Sequence, residues 1–205
     1  MRTGDSARIG CYPGSFNPPT VAHLAVAEAA LDVGSLDRID LVVSRVALGK
    51  EGRVLPTLDD RLSVLRDVAA TRPWLGVVVS HHQLIADLAE GYDAVVMGAD
   101  KWRQVNDARW YGDDAGARDA VLNRLPPVLV APRADDCLAE VAELTGVVLL
   151  SVAEHHRPVN ATAIRSGEPG AHAWMLSEAA TFDARTHAWS DPGRYRAGGN
   201  PGRDS

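Results

Sequence analysis

Thr20 and His23 stand three residues apart at the end of the run Gly14-Ser15-Phe16-Asn17-Pro18-Pro19-Thr20-Val21-Ala22-His23. On one helical turn, residues at that spacing share a face. A hydroxyl and an imidazole side by side at a helix N-terminus suit phosphate oxygens, because the free amides and the macrodipole there are positive. Gly14 lets a ligand approach the backbone closely, and successive amides at Gly14, Ser15 and Phe16 can cradle an anion. Neither G-x-x-x-x-G-K-[ST] nor G-x-G-x-x-G occurs in the chain. Alone, Thr-x-x-His marks little more than a helix start with Thr20 as its N-cap.

Other segments add chemistry. Gly98-Ala99-Asp100 ends an apolar run, so Asp100 is placed to accept hydrogen bonds from a ribose or an amide, or simply to cap the next helix. Trp102 and Trp110 follow it, two flat aromatic faces. Asn160 or Thr162 can cap a short helix that carries Arg165 one turn in. Lys50 and Lys101 are the only lysines in a chain whose other cations are all arginine. His81 and His82 are neighbours, and adjacent strand residues face opposite ways, which makes a poor metal site. Cys11 and Cys137 read as two small thiols in a strand and a helix.

The elements that must position these groups alternate along the chain. Strands are expected at 7–12, 38–44, 76–80, 93–97, 128–131 and 147–152, and helices at 20–33 (closed by Gly34), 58–71, 113–125 and 134–144. Short, continuous apolar runs are the pattern of strands buried on both faces. The alternation predicts an α/β fold, a doubly wound parallel sheet in a single domain, 1–182. In such sheets ligands bind beyond the C-terminal strand ends, here after Tyr12, Ser44, Ser80, Met97 and Val152. From Asp183 the composition shifts to Ser, Pro, Gly and Arg, and 183–205 reads as a disordered or loosely docked tail.

The net charge of −6 argues against a surface built for nucleic acid. No run approaches the ~18 apolar residues of a membrane span, and residues 1–6 lack a signal-peptide core, so the cytoplasm is the expected location.

Residues 14–24 resemble the N-terminal signature of the nucleotidylyltransferase superfamily, His/Thr-x-Gly-His, with Ala22 where the glycine usually stands. The chain looks most like the branch that adenylates nicotinamide or nicotinate mononucleotide, and the implied fold is Rossmann-like. Val159 to Ser166 is similar to the family's Ile-Ser-Ser-Thr-x-Ile-Arg motif, matching at Thr162, Ile164 and Arg165, with Asn160 and Ala161 in place of two serines. Lys50 to Arg61 resembles its lysine-bearing loop and following helix.

The resemblance implies catalytic roles for His23, Thr20, Lys50 and Arg165. It implies ATP binding by Gly14, Ser15, Phe16, His23, Thr162 and Arg165. Asp100, Ser15 and Lys50 would contact the mononucleotide, with Trp110, or second Trp102, stacked on its pyridine ring. Mg²⁺ would be held mainly by ATP phosphates rather than a protein cage. The implied partners are ATP and a pyridine mononucleotide, with assembly into a homo-oligomer left open. Adenylyl or cytidylyl transfer to another phosphorylated acceptor, such as phosphopantetheine or glycerol phosphate, stays open too, as does a nucleotide-binding protein of this fold that has lost turnover.

Overall fold

The computed structural model describes residues 6–45, 55–134 and 146–197. Six parallel strands, β1 (Ile9–Pro13), β2 (Arg38–Ser44), β3 (Leu75–Ser80), β4 (Ala94–Gly98), β5 (Val128–Ala131) and β6 (Val147–Leu149), form one sheet in the order β3-β2-β1-β4-β5-β6. The winding reverses between β1 and β4, and a crevice opens at such a switch point beyond the strand ends.

Helices α1 (Val21–Gly34), α2 (Leu58–Ala70), α3 (Ile85–Leu88), α4 (Ala99–Asn106), α5 (Ala115–Leu122), α6 (Ala161–Arg165) and α7 (Ser177–Thr186) are joined by short 3₁₀ turns, among them Ala108–Tyr111 and Glu154–His156. Alternate strand residues feed opposite layers, as the period of two requires. Val96 packs with Val26, Ala27 and Ala30 of α1 and Leu65 of α2, while Val95 and Met97 pack with Leu88 and with Ala99 and Trp102 of α4. Both faces of the sheet are therefore apolar, which accounts for strands that read as continuous runs.

The expected boundaries shift in places. Gly34 is the last residue of α1, and Ser35 takes the left-handed turn (φ 47°), its amide bonded back to Asp32. The expected helix at 113–125 is shorter, 115–122, with Asp114 capping the Ala117 amide. The last strand stops at Leu149. The helix expected at 134–144 and Cys137 lie almost wholly or wholly outside the described residues.

The largest correction concerns the chain end. Residues 183–197 are docked, not loose. Val64 of α2 packs with Ile164, Met175, Phe182, Trp189 and Tyr195 in a third cluster, and Trp189 is only 2% exposed. Asp183, almost fully buried, accepts the backbone amides of Trp189 (2.6 Å) and Ser190 (3.0 Å) and pairs with His172 (2.9 Å). Two large aromatics and one satisfied carboxylate suffice to hold a segment whose average composition is polar. Residues 198–205 lie outside the described residues.

Candidate active site

The first loop leaves β1 and turns into α1. Thr20 is the N-cap of α1, in extended conformation, and His23 is the third helical residue. Their side chains form a reciprocal capping box in which histidine takes the place usually held by Glu or Gln. The Thr20 hydroxyl accepts from the His23 amide (3.4 Å), and His23 Nδ1 accepts from the Thr20 amide (3.0 Å) and lies 2.8 Å from the hydroxyl.

A backbone N–H only donates, so Nδ1 is the acceptor and the ring proton of neutral His23 sits on Nε2. Burial, helped by the positive charge of Arg133, holds the His23 pKa down to about 4, so the ring is neutral near pH 7. Nε2–H is left as a fixed donor with no hydrogen-bond partner among the described residues. The ring is braced edge-on by Phe16, with centroids 5.1 Å apart.

His23 forms part of a cavity that opens to solvent at the switch point. Tyr12 and Thr20 bound it on the β1 side, Gly98 on β4, Arg133 past β5, His156 and Asn160 ahead of α6, and Ala161 at its start. Arg133 carries the positive charge. Its Nε lies 3.7 Å from a carboxylate oxygen of Asp100, and its Nη1 donates to the Val159 carbonyl (3.2 Å). Burial pushes the Tyr12 phenol up to about 12, so it is neutral as well. Neutral donors, one arginine and a solvent-reaching carboxylate can hold an anionic ligand and stabilise charge on it.

The positions read from sequence divide. Thr20 and His23 line this crevice, while Asp100 is not among its walls and meets it only through Arg133. The Gly14 amide is taken by the Val42 carbonyl (3.1 Å) and so is not a phosphate donor. Phe16 is 1% exposed as a whole residue and belongs to the core, so neither its ring nor its backbone is open to a ligand. Ser15 is exposed, but its carbonyl accepts from Arg61 Nη1 (3.0 Å). Arg165 turns its guanidinium onto the Asn17 and Ala161 carbonyls and the Thr162 hydroxyl, so Arg165 ties α6 to the first loop and Thr162 only steadies the guanidinium.

Trp102 is 5% exposed and packed in the core, because it falls on the inner face of α4, so it presents no face for stacking. Trp110 is 65% exposed on the 3₁₀ turn beyond α4, outside the walls of the cavity. Lys50 lies outside the described residues.

Sequence reading missed Arg133 and His156. The strand-end rule points to Arg133, two residues past Ala131, once the end of β5 is counted with the others. For His156 no local signal exists. Its Nδ1 is buried without a partner among the described residues, and burial, then the neighbouring His155, lower its pKa.

The sequence profile of the cytidylyltransferase-like family matches residues 11–166, from β1 through α6. The chain belongs to this family. The matched span encloses every wall of the cavity. Among related proteins, a phosphopantetheine adenylyltransferase of Paracoccus denitrificans is 32% identical over 94 residues, covering 44% of this chain; the chain spans about half the length of that relative, 54%. A probable nicotinate-nucleotide adenylyltransferase of Halalkalibacterium halodurans is 34% identical over 59 residues, 29% of this chain and 28% of that protein. Among solved structures, Plasmodium falciparum nicotinic acid mononucleotide adenylyltransferase complexed with NaAD superposes with a TM-score of 0.65 at 14% identity, over 87% of this chain and 95% of that one. The doubly wound fold expected from the strand pattern is thus shared with that enzyme. Among the described residues no helix is long and apolar enough to cross a membrane.

Proposed function

We propose that this family member is an adenylyltransferase that moves AMP from ATP to the phosphate of nicotinate or nicotinamide mononucleotide and releases pyrophosphate. The observation that carries the reading is the locked Nε2–H of His23 in the wall of the switch-point cavity, opposite a strand-end arginine. The acceptor phosphate is already an anion and attacks the α-phosphorus in line, so no general base is needed. What the reaction requires is alignment and stabilisation of charge on the transferring group. Neutral His23 donates from Nε2 to an α-phosphate oxygen, and Thr20 keeps the ring in that tautomer and orientation. Arg133 supplies fixed positive charge across the cavity, and Asp100, mostly exposed, is placed to accept from acceptor hydroxyls.

Among the described residues no group of three or more His, Cys, Asp or Glu could hold a metal ion. Mg²⁺ would enter with the nucleotide, and Asp100, exposed beside Arg133, is the carboxylate of this chain that would face it. It would neutralise phosphate charge.

A second reading has specific support: the Paracoccus relative is named for phosphopantetheine as acceptor. One assay separates the two. The protein is incubated with Mg-ATP and, separately, nicotinate mononucleotide, nicotinamide mononucleotide and 4′-phosphopantetheine, and pyrophosphate is followed. Release with a pyridine mononucleotide alone is the expected result. Release only with phosphopantetheine replaces the acceptor, and ATP binding without release in any mixture removes the enzymatic reading.

A further inference from the structure

The first loop is held from behind by groups that the reaction scheme above does not use. Asn17 is 4% exposed, and every polar group of its side chain and its carbonyl is engaged. Its Nδ2 donates to the Leu55 carbonyl (3.2 Å), its carbonyl accepts from Arg165, and its Oδ1 accepts from the indole Nε1 of Trp189 (2.6 Å). Trp189 comes from the far end of the chain, 172 residues away and beyond the region that the family profile matches.

The same C-terminal stretch touches the loop again. Leu176 donates its amide to the Pro19 carbonyl (3.2 Å), and Met175 bridges antiparallel to Thr20. Tyr195 bonds the Thr57 amide (3.0 Å) and the Asp60 carboxylate, next to the Arg61 that holds the Ser15 carbonyl.

These anchors set a direction. In a trans peptide the carbonyl of one residue and the amide of the next point opposite ways. With the Ser15 carbonyl turned to Arg61, the Phe16 N–H points away from α2. Phe16 itself sits at φ 43°, a left-handed conformation that a non-glycine residue keeps only when its surroundings enforce it. An indole N–H buried with its acceptor in the core is a short, rigid tie, and losing it leaves Asn17 Oδ1 unsatisfied beside the strained residue.

We infer that Trp189 is a positioning residue for nucleotidyl transfer: its indole N–H, through Asn17, fixes the loop that presents Thr20–His23 to the phosphates. The inference rests on the adenylyltransferase reading for its activity readout only.

The test compares wild type with Trp189→Phe, which keeps an aromatic ring and deletes the donor. Turnover is measured well below the melting temperature, with the acceptor that wild type uses. The expected result is about a tenfold fall in kcat with the acceptor KM held, the size of one positioning hydrogen bond. An unchanged kcat overturns the inference, whatever happens to the melting temperature, because a purely structural tie moves only the latter. If wild type releases pyrophosphate with none of the acceptors, the functional reading has failed and amide exchange over residues 14–24 decides instead. Faster exchange confined to that segment in Trp189→Phe supports the positioning role, and unchanged exchange overturns it. Should Trp189→Phe fail to fold, the assigned indole ¹⁵N–H signal of Trp189 in wild type takes its place. A shift of that signal on adding Mg-ATP supports the tie to the loop, and no shift overturns it.

Discussion

The Thr20 amide donates to Nδ1 of His23 across 3.0 Å, and this bond decides which ring nitrogen carries the proton. A histidine used this way is a donor of fixed direction, with its acceptor nitrogen already spent on the helix cap. His23→Ala, if folded, is expected to lower kcat by the roughly 10²–10³-fold seen when one oxyanion donor is removed. Thr20→Val keeps the backbone bond but loses the hydroxyl cap. It is expected to lower kcat by only about tenfold and to cost ~1 kcal/mol of stability, read by pyrophosphate release and denaturant unfolding. Equal kcat losses in the two variants would contradict a donor role for His23.

The depressed pKa of His23 gives a second expectation, with a definite sign. Burial, then Arg133, take it from 6.5 to about 4, so between those values the unfolded chain binds a proton that the folded one refuses. Its contribution to stability is present above about 6.5 and is lost as pH falls through about 4. Melting temperature should drop across that window in wild type and drop less in His23→Gln. Turnover near pH 7 should show no titration limb from His23, since the ring stays neutral there.

Much of this was legible in the sequence because the relevant physics is local. β2 and β5 match the expected bounds to the residue, since strands buried on both faces need apolar side chains at nearly every position. The Thr20–His23 pairing follows from helical spacing once Thr20 is placed as a cap. What was not legible depends on partners distant in sequence. Nothing near Gly14 says that Val42 takes its amide, and nothing near Arg165 says that the Asn17 carbonyl takes its guanidinium. Trp189 and Tyr195 sit in a stretch rich in Gly, Pro and Arg, where average composition hides two anchoring aromatics.

Gly98 tests how tightly the crevice is built. A Cβ there would lie 2.5 Å from the Asp100 carboxylate oxygen and 3.5 Å from Arg133 Nε. The Asp100 side chain is exposed and can swing aside, so Gly98→Ala should fold with little change in melting temperature. The displaced carboxylate no longer faces Arg133 as it did, and the acceptor KM is expected to rise by about tenfold, the worth of a charge-assisted contact. Steady-state kinetics alongside thermal unfolding check both halves, and a large stability loss with unchanged KM would mean that the backbone, not Asp100, had moved.

The two tryptophans past β4 separate packing from recognition. Trp102 is buried between α4 and the sheet among Val95, Met97 and Val130, so Trp102→Ala leaves a void in the core. The expected cost is about 3–5 kcal/mol, with any loss of activity following the unfolded fraction. Trp110 has most of its surface in water, and Trp110→Ala should leave the denaturation midpoint nearly where it was. If its ring closes over a pyridine when the acceptor binds, the KM for a pyridine mononucleotide should rise severalfold while the KM for ATP holds, because an aromatic stacking contact contributes about 0.5–1.5 kcal/mol. An unchanged acceptor KM in Trp110→Ala would take the stacking role away from both tryptophans, since the buried Trp102 has no face to offer.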